Sequence, residues 1–229
     1  MCNSACIQFV KKNLNESDIK EKSVIEVGAL DINGTLRPIV EAFKPALYTG
    51  VDLFDGPGVD IVCDAKELIN IFGPERFDLL ISTEMMEHVL DWKKIISNFK
   101  KILKPAGILL ITTRSKGFYY HSYPCDFWRY ELEDLKKIFS DFEIISLEKD
   151  LEAPGVFMIA RKPIFFVKND LSHLNLYSMV KFRRDGKITS LNIQTAKILY
   201  GIKRYLSDKC PAYWKRFIKN CSYLFFTKQ

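Results

Sequence analysis

The chemistry-bearing residues of this chain collect where short apolar runs end. The stretch "SVIEVGALDINGTLR", Ser23 to Arg37, sets Glu26 inside an apolar run, then Gly28, then Asp31 and Asn33 ahead of Gly34. Asp52 closes "LYTGVD", Asp64 closes "DIVCD", and Ser82-Thr83-Glu84 follows "FDLLI". In an α/β sheet, the loops at the carboxyl ends of the strands are where ligands sit. Carboxylates there accept from hydroxyl and amino groups, and a glycine lets the backbone pass close to a ligand. A second group lies further along. His88 stands in "EMMEHV", and His121, Asp126, Trp128, Arg129 and Tyr130 stand in "RSKGFYYHSYPCDFWRY". Histidine changes charge near neutral pH, so His88 and His121 are the candidate bases.

Such positions act together only if regular elements bring them together. The spacing predicts a leading helix over Ala5–Leu14 and strands over Ser23–Gly28, Leu47–Val51, Asp60–Cys63, Phe77–Ser82 and Gly107–Thr113. Helices are predicted over Thr35–Phe43, with Pro38 in the first turn, over Lys66–Phe72, stopped by Gly73-Pro74, and over Glu87–Leu103. Strand and helix alternate four times, and the strands are continuous apolar runs. A mostly parallel sheet covered on both faces follows. After Thr113 the periodicity gives way to an aromatic-dense stretch. A helix over Glu131–Phe139 comes next, then strands over Phe142–Glu148 and Val156–Arg161. The loop between those two strands, with Pro154-Gly155, is too short for a parallel crossover. They form an antiparallel hairpin, which a standard dinucleotide-binding sheet does not have.

Charge divides the chain. Residues 1–160 carry 19 Lys and Arg against 25 Asp and Glu, whereas residues 161–229 carry 15 against 3. An acidic body therefore precedes a basic tail. Six cysteines, at 2, 6, 63, 125, 210 and 221, form no CxxC pair and no zinc-spaced His/Cys cluster, so reduced thiols and no metal are expected. The start shows no secretory leader, and no apolar run reaches transmembrane length. A cytoplasmic protein is the expectation. G-x-G-x-x-G and the P-loop are both absent, which removes a Rossmann dehydrogenase and a P-loop enzyme.

The ordered set "VIEVGALDINGTLRP", "YTGVDLFDGPGVDIVCDA", "FDLLISTEMMEHV", "LKPAGILLITT" and "PCDFWRYELEDL" resembles the class I S-adenosylmethionine-dependent methyltransferases. Within that class it is similar to the small bacterial and archaeal methyltransferase-domain proteins. The likeness spans roughly residues 5–162. It implies a seven-stranded Rossmann-like sheet with its last strand antiparallel, helices on both faces, and S-adenosylmethionine as cofactor with S-adenosylhomocysteine as product. On that resemblance Glu26 helps hold the methionine ammonium, and Gly28, Leu30 and Asn33 shape the first loop. Asp52 accepts from the ribose hydroxyls, Leu53 lies against adenine, and Asp64 with Ala65 meets the adenine amino group. Ser82, Thr83 and Glu84 line the ligand below the methyl group. One departure stands out: "GALDING" spaces its glycines six apart, with Leu30 where the family's middle glycine falls.

The acceptor side is less defined. No Asn/Asp-Pro-Pro-Tyr/Phe motif follows the fourth strand, where amide and nucleobase amine methyltransferases of this superfamily often carry it. Ser82-Thr83-Glu84 points instead to an oxygen acceptor, or another nucleophile, on a small molecule. A glycan precursor is suggested by the resemblance alone. Asp126, Trp128, Arg129 and Tyr130 match the family's D-x-W/Y-R-Y/F signature. Two readings stay open: contact with the acceptor, or an Arg129 ion pair with Trp128 and Tyr130 packed beneath the loop.

These readings place a cofactor-binding domain at 1–162 and a basic, aromatic-rich extension at 163–229, with a helix over Thr195–Leu206. Docking on the acidic body is the first reading of the tail. Peripheral membrane contact through Tyr213, Trp214, Phe217, Leu224, Phe225 and Phe226 ranks second, and nucleic acid third. The alternatives to a small-molecule enzyme are a non-catalytic cofactor-binding scaffold working through the tail and an RNA methyltransferase.

Overall fold

A computed structural model describes residues 4–121 and 125–209. Cys2, Cys210, Cys221 and the six apolar tail residues from Tyr213 to Phe226 lie outside the described residues. Seven strands form one sheet: β1 (Ser23–Val27), β2 (Leu47–Asp52), β3 (Ile61–Val62), β4 (Phe77–Thr83), β5 (Leu103–Arg114), β7 (Glu143–Lys149) and β8 (Gly155–Arg161). Their order is β3-β2-β1-β4-β5-β8-β7. The first five run parallel, and β8 lies antiparallel to both β5 and β7. The expected sheet with a single reversed strand is the one observed.

The alternation of side chains along the strands builds a core on each face. Leu79, Ile81, Ile108, Leu110, Phe157 and Ile159 point to one face. There they meet Val24 and the buried residues of α1 (Ser4–Asn13), where Phe9 lies 5.3 Å from the Phe157 ring. Leu80, Leu109, Ile111, Val156, Met158 and Ala160 point to the other face. Against them pack Leu68 of α4 (Leu68–Phe72), Ile95, Ile96 and Phe99 of α5 (Trp92–Ile102), and Leu135 and Ile138 of α6 (Leu132–Ile138). Two short helices flank β1: α2 (Glu16–Ile19), capped by Asn15, and α3 (Arg37–Glu41), with Pro38 in its first turn.

Several elements differ from the sequence reading. The helix expected from Glu87 begins only at Trp92, because the Asp91 carboxylate accepts from Lys94 N (3.2 Å) and caps it there. Glu87 and His88 fall instead in a separate 3-10 turn, Met86–His88. A two-residue strand, β6 (Trp128–Arg129), lies inside the aromatic stretch. It pairs antiparallel with β9 (Leu176–Ser178), which in turn pairs with β10 (Arg183–Asp185). The helix expected over Thr195–Leu206 is longer, α7 (Ser190–Lys209).

The basic segment is packed on the body as far as it is described. Leu171, Leu176, Val180, Ile188 and Ala196 join the core on the α5 face. Charge adds Arg184 on Asp134. On α7, Ile193, Ala196 and Tyr200 face this core, while Leu191, Ile198, Leu199 and Ile202 are exposed. Among the described residues no helix is long and apolar enough to cross a membrane.

One buried cation ties three of these pieces. Lys100 of α5 is fully buried, and its Nζ donates to Ile138 O (2.5 Å), to both Asp141 oxygens (2.7 and 2.8 Å) and to Asn169 Oδ1 (2.8 Å). Breaking one side of a buried pair strands the other charge. Lys100→Met should therefore cost about 3–5 kcal/mol in urea denaturation, and adding Asp141→Asn should recover part of it.

Candidate active site

Two loops meet over the carboxyl edge of β1 and β2. The N–H groups of Gly28 and Ala29 both donate to Val51 O (2.9 and 3.1 Å), and Asp31 N donates to Pro57 O (2.8 Å). Asp31 Oδ1 accepts from Gly34 N (2.9 Å), which closes the long turn. Gly28 has φ +87°, and a Cβ there would lie 2.8 Å from the Met85 side chain. Gly58 has φ +89°, and a Cβ there would lie 2.5 Å from Ala29 O. The two loops thus pack backbone against backbone, a contact that the missing side chains permit. Leu30 seals it by lying over Gly56.

Asp52 stands at the centre of this edge. Its Oδ2 accepts from Leu30 N (3.2 Å) and its Oδ1 from Phe54 N (3.1 Å). Each oxygen keeps a lone pair for a further donor. Leu53 and Phe54 beside it are exposed, and so is Asn33. Asp64 caps the following 3-10 turn, with Oδ1 accepting from Lys66 N (2.9 Å), and Ala65 opens that turn. Asp64 is therefore a turn cap at the rim of the edge.

Glu26 is buried in β1 and accepts from the Tyr48 hydroxyl. Arg37 lies over the Tyr48 ring, 4.6 Å from its centroid, and is itself held by Asp60 (2.6 Å). Burial pushes the Glu26 carboxyl up to about 7, with the Tyr48 hydrogen bond and the Arg37 charge opposing. At the end of β4, Ser82 and Thr83 are buried, and Ser82 Oγ has no partner. Glu84 has φ +52° and pairs with Arg114, whose Nη1 also reaches Asp150 Oδ2 (3.0 Å). Its carboxylate is held in this buried network.

The residues of the aromatic stretch form a hydrogen-bonded chain. Arg129 is fully buried and grips both Asp126 oxygens, Oδ2 at 2.8 Å. Its Nη2 also donates to Tyr119 O (3.0 Å). Burial works against the Asp126 carboxylate, but the Arg129 and His121 hydrogen bonds hold it below the usual carboxylate range. Asp126 Oδ2 accepts from His121 N (2.8 Å) and faces His121 Nδ1 (3.1 Å). Trp128 and Tyr130 are fully buried, with Trp128 Nε1 on Leu90 O (3.2 Å) and Tyr130 Oη on Met86 O (3.2 Å). Both rings belong to the core on the α5 face.

His88 and His121 meet edge to face, with ring centroids 4.7 Å apart. Glu87 lies between them and the sheet. It is buried, its Oε2 accepts from Thr113 Oγ1 (2.8 Å), and its Oε1 lies 3.9 Å from His88 Nε2 and 4.0 Å from His121 Nε2. Sequence reasoning missed Glu87 as a site residue, although it adjoins His88 in "EMMEHV". It also missed the Arg37–Tyr48 support of Glu26, and Tyr200 of α7, whose ring stacks on Tyr120 at 3.9 Å. Arg37 closes the quoted first motif and so carried a signal. Tyr200 carried none.

A family model described as "Methyltransferase domain" matches residues 3–156. Among curated relatives, the chain is 26% identical over 133 residues to a ubiquinone biosynthesis O-methyltransferase of Histophilus somni (strain 2336), covering 51% of this chain and 54% of that protein. It is 32% identical over 109 residues to the protein of the same name from Idiomarina loihiensis, covering 42% and 44%. The chain thus spans about half the length of these relatives. Among solved structures, a 1,6-didemethyltoxoflavin-N1-methyltransferase of Burkholderia thailandensis, with bound 1,6-didemethyltoxoflavin and S-adenosylhomocysteine, superposes with a TM-score of 0.55. At 16% identity over 70% of this chain and 79% of that one, this likeness shows the fold alone.

The raised Glu26 carboxyl sets a pH dependence. The folded protein holds a proton on Glu26 up to about pH 7, while the unfolded chain releases it near the ordinary value of about 4.3. Between those values the folded state binds more protons, so stability falls as pH rises, by at most about 1.4 kcal/mol per pH unit. Glu26→Gln keeps the shape without titrating. Denaturation of both proteins from pH 5 to pH 8 should show wild type losing ground to the variant up to about pH 7, and parallel curves above.

Proposed function

The chain belongs to the methyltransferase-domain family, and from that premise we propose that it moves the methyl group of S-adenosylmethionine to an oxygen of a small molecule or glycan precursor. The residues at the carboxyl edge fit that cofactor. Gly28 leaves the first loop open where a Cβ would collide with Met85. Glu26 is a buried acid whose carboxylate form a bound ammonium would favour. Asp52 offers one remaining lone pair on each oxygen to two adjacent hydroxyls. Ser82 Oγ is a buried polar atom awaiting a partner. When bound, the cofactor supplies an electrophilic methyl on a good leaving group, so the protein's work is alignment and proton removal.

The observation that carries an oxygen acceptor is the His121–Asp126–Arg129 relay. A carboxylate accepts from Nδ1, so the tautomer that Asp126 favours carries its proton on Nδ1 and leaves the Nε2 lone pair free to act as base. A hydroxyl placed at Nε2 gives up its proton there as its oxygen bonds to carbon. Asp126 stabilises the imidazolium that forms, and Arg129 keeps Asp126 ionised and in place. The O-methyltransferase names of the curated relatives support the same choice of atom. On this reading residues 1–162 are the catalytic domain. The extension 163–229, with 15 basic against 3 acidic residues from position 161 onward, supplies any contact with an anionic membrane surface.

Calorimetry with S-adenosylmethionine and S-adenosylhomocysteine tests the first half. Binding should be measurable, and Asp52→Ala should weaken it by about 1–3 kcal/mol through loss of the ribose acceptor. Absence of binding by either compound at millimolar concentration would end the proposal. Labelled cofactor with metabolite extracts tests the second half. Once an acceptor is found, His121→Ala should lower turnover by about 10²–10⁴-fold while cofactor affinity stays within a factor of two.

A further inference from the structure

Tyr200 lies on α7, beyond the family match, yet it reaches the loop that carries His121. Its ring stacks on Tyr120, with centroids 3.9 Å apart and planes 18° from parallel, and Phe182 flanks it at 5.7 Å. The rings of Phe118, Tyr119 and His121 gather into a cluster of their own. Phe118 lies 4.6 Å from Tyr119 and 5.1 Å from His121, and Tyr119 lies 5.9 Å from His121. Tyr120 turns to α7 while the residues on either side of it turn to each other.

Tyr200 is itself firmly held. Its Oη donates to Met179 O (3.1 Å), and Met179 N donates to Phe127 O (2.8 Å). Met179 follows β9, which sets Ser178 against Trp128 and Tyr177 against Arg129. The buried Ser178 Oγ accepts from Val180 N (3.2 Å) and Lys181 N (3.1 Å), and Phe182 N donates to Ser178 O (2.8 Å), so the turn after β9 closes on itself. Burial pushes the Tyr200 hydroxyl up, and the Asp126 charge adds to this with Arg129 opposing. The hydroxyl therefore stays a donor.

Three successive residues of the loop are gripped in three ways. Arg129 Nη2 holds Tyr119 O (3.0 Å), Tyr200 holds the Tyr120 ring, and Asp126 Oδ2 holds both His121 N (2.8 Å) and His121 Nδ1 (3.1 Å). The two polar grips leave one freedom. A segment fixed at Tyr119 O and His121 N can still turn about the line that joins them. Both His121 contacts use one carboxylate oxygen, so such a turn can keep N on Oδ2 while it takes Nδ1 away. A third anchor off that line removes the freedom, and the flat face of Tyr120 against Tyr200 is such an anchor. We propose that Tyr200 is a positioning residue for His121: through Tyr120 it keeps Nδ1 on Asp126 and Nε2 open. On the methyl-transfer reading Nε2 then faces the acceptor, so the extension beyond residue 162 supplies part of that side; the positioning itself does not depend on that reading. The carboxyl edge of β1 and β2 is held separately. The hydrogen bonds of Asp52 and Gly28 run to Leu30, Val51 and Phe54.

The experiment uses the full chain with ¹⁵N-labelled histidine at about pH 8.5, above the ordinary histidine range. Long-range proton–nitrogen spectra then report which ring nitrogen of each of the three histidines carries the proton. His121→Gln and His88→Gln identify the signals. Wild-type His121 should show the Nδ1–H form. Tyr200→Ala should replace it with exchange between the two tautomers, while His88, whose Nδ1 is held by Cys125 O (2.6 Å), keeps its signals. Tyr200→Phe keeps the ring and loses only the hydroxyl, so it should restore the wild-type spectrum. Tyr120→Ala removes the other half of the stack and should reproduce Tyr200→Ala, which leaves the test standing if that variant fails to fold. A His121 signature that both alanine variants leave unchanged overturns the proposal. So does a wild type without the Nδ1–H form, or a change that spreads to His88 and His173 and so marks general loss of structure. Calorimetry with S-adenosylhomocysteine on the same samples separates the readings. Its affinity should stay within a factor of two in all the Tyr120 and Tyr200 variants. Failure of the wild type to bind it overturns methyl transfer and leaves the positioning, which is read without ligand; normal binding with a His121 signature indifferent to Tyr200 and Tyr120 overturns the positioning alone.

Discussion

Taking a carboxylate and a guanidinium out of water costs several kcal/mol for each ion unless they satisfy one another. Asp126 and Arg129 do so with no exposed side-chain surface, through the paired geometry that suits arginine and carboxylate best. Much else follows from that pair. Arg129 draws in Tyr119 O and so closes the aromatic stretch on itself. Asp126 fixes His121 by two contacts. The strand that carries Arg129 is also the one on which β9 builds, so the segment beyond residue 162 pairs with the chain through Trp128 and Arg129. A loop with no periodicity of its own is ordered by one electrostatic requirement.

The carboxyl edge of β1 and β2 obeys a different constraint, which is closeness of backbones. Gly28, Gly56 and Gly58 let two loops lie against each other over the ends of β1 and β2, and Asp52 holds backbone N–H groups of both. The replacement of the middle family glycine by Leu30 fits this arrangement, since Leu30 becomes the side chain that fills the space over Gly56. What looks like a departure in one motif is matched by a glycine in the next.

The sheet was legible because its determinants are local. Apolar runs, glycine turns and a short hairpin loop each act over a short window, whereas the count of seven strands came from the family resemblance. Asp52 and Gly28 were legible for the same reason, as residues at strand ends. The start of α5 was misread because Asp91 caps it from within a continuous helical pattern, and helical periodicity does not register a cap. Strand β6 escaped because two residues carry no period, and its partner β9 lies 48 residues away. Glu87 escaped because what sets it apart is burial with an unpartnered Oε1, a property of packing rather than of residue type. Asp64 shows the converse: an acid at a strand end whose visible work is to cap a turn.

The stacking of Tyr200 on Tyr120 has a consequence for how members of this family diverge. Tyr120 is the neighbour of His121, while Tyr200 sits on α7, 44 residues beyond the end of the family match at 156. The loop that carries His121 is therefore shaped by a part of the chain that the family match does not reach. Appended segments of different length and sequence could dock on the same face and press on the same loop, leaving the glycine-rich cofactor edge untouched. A conserved transfer chemistry can in this way be given new acceptors by changing an appendage, and two chains alike across the shared domain need not share a substrate.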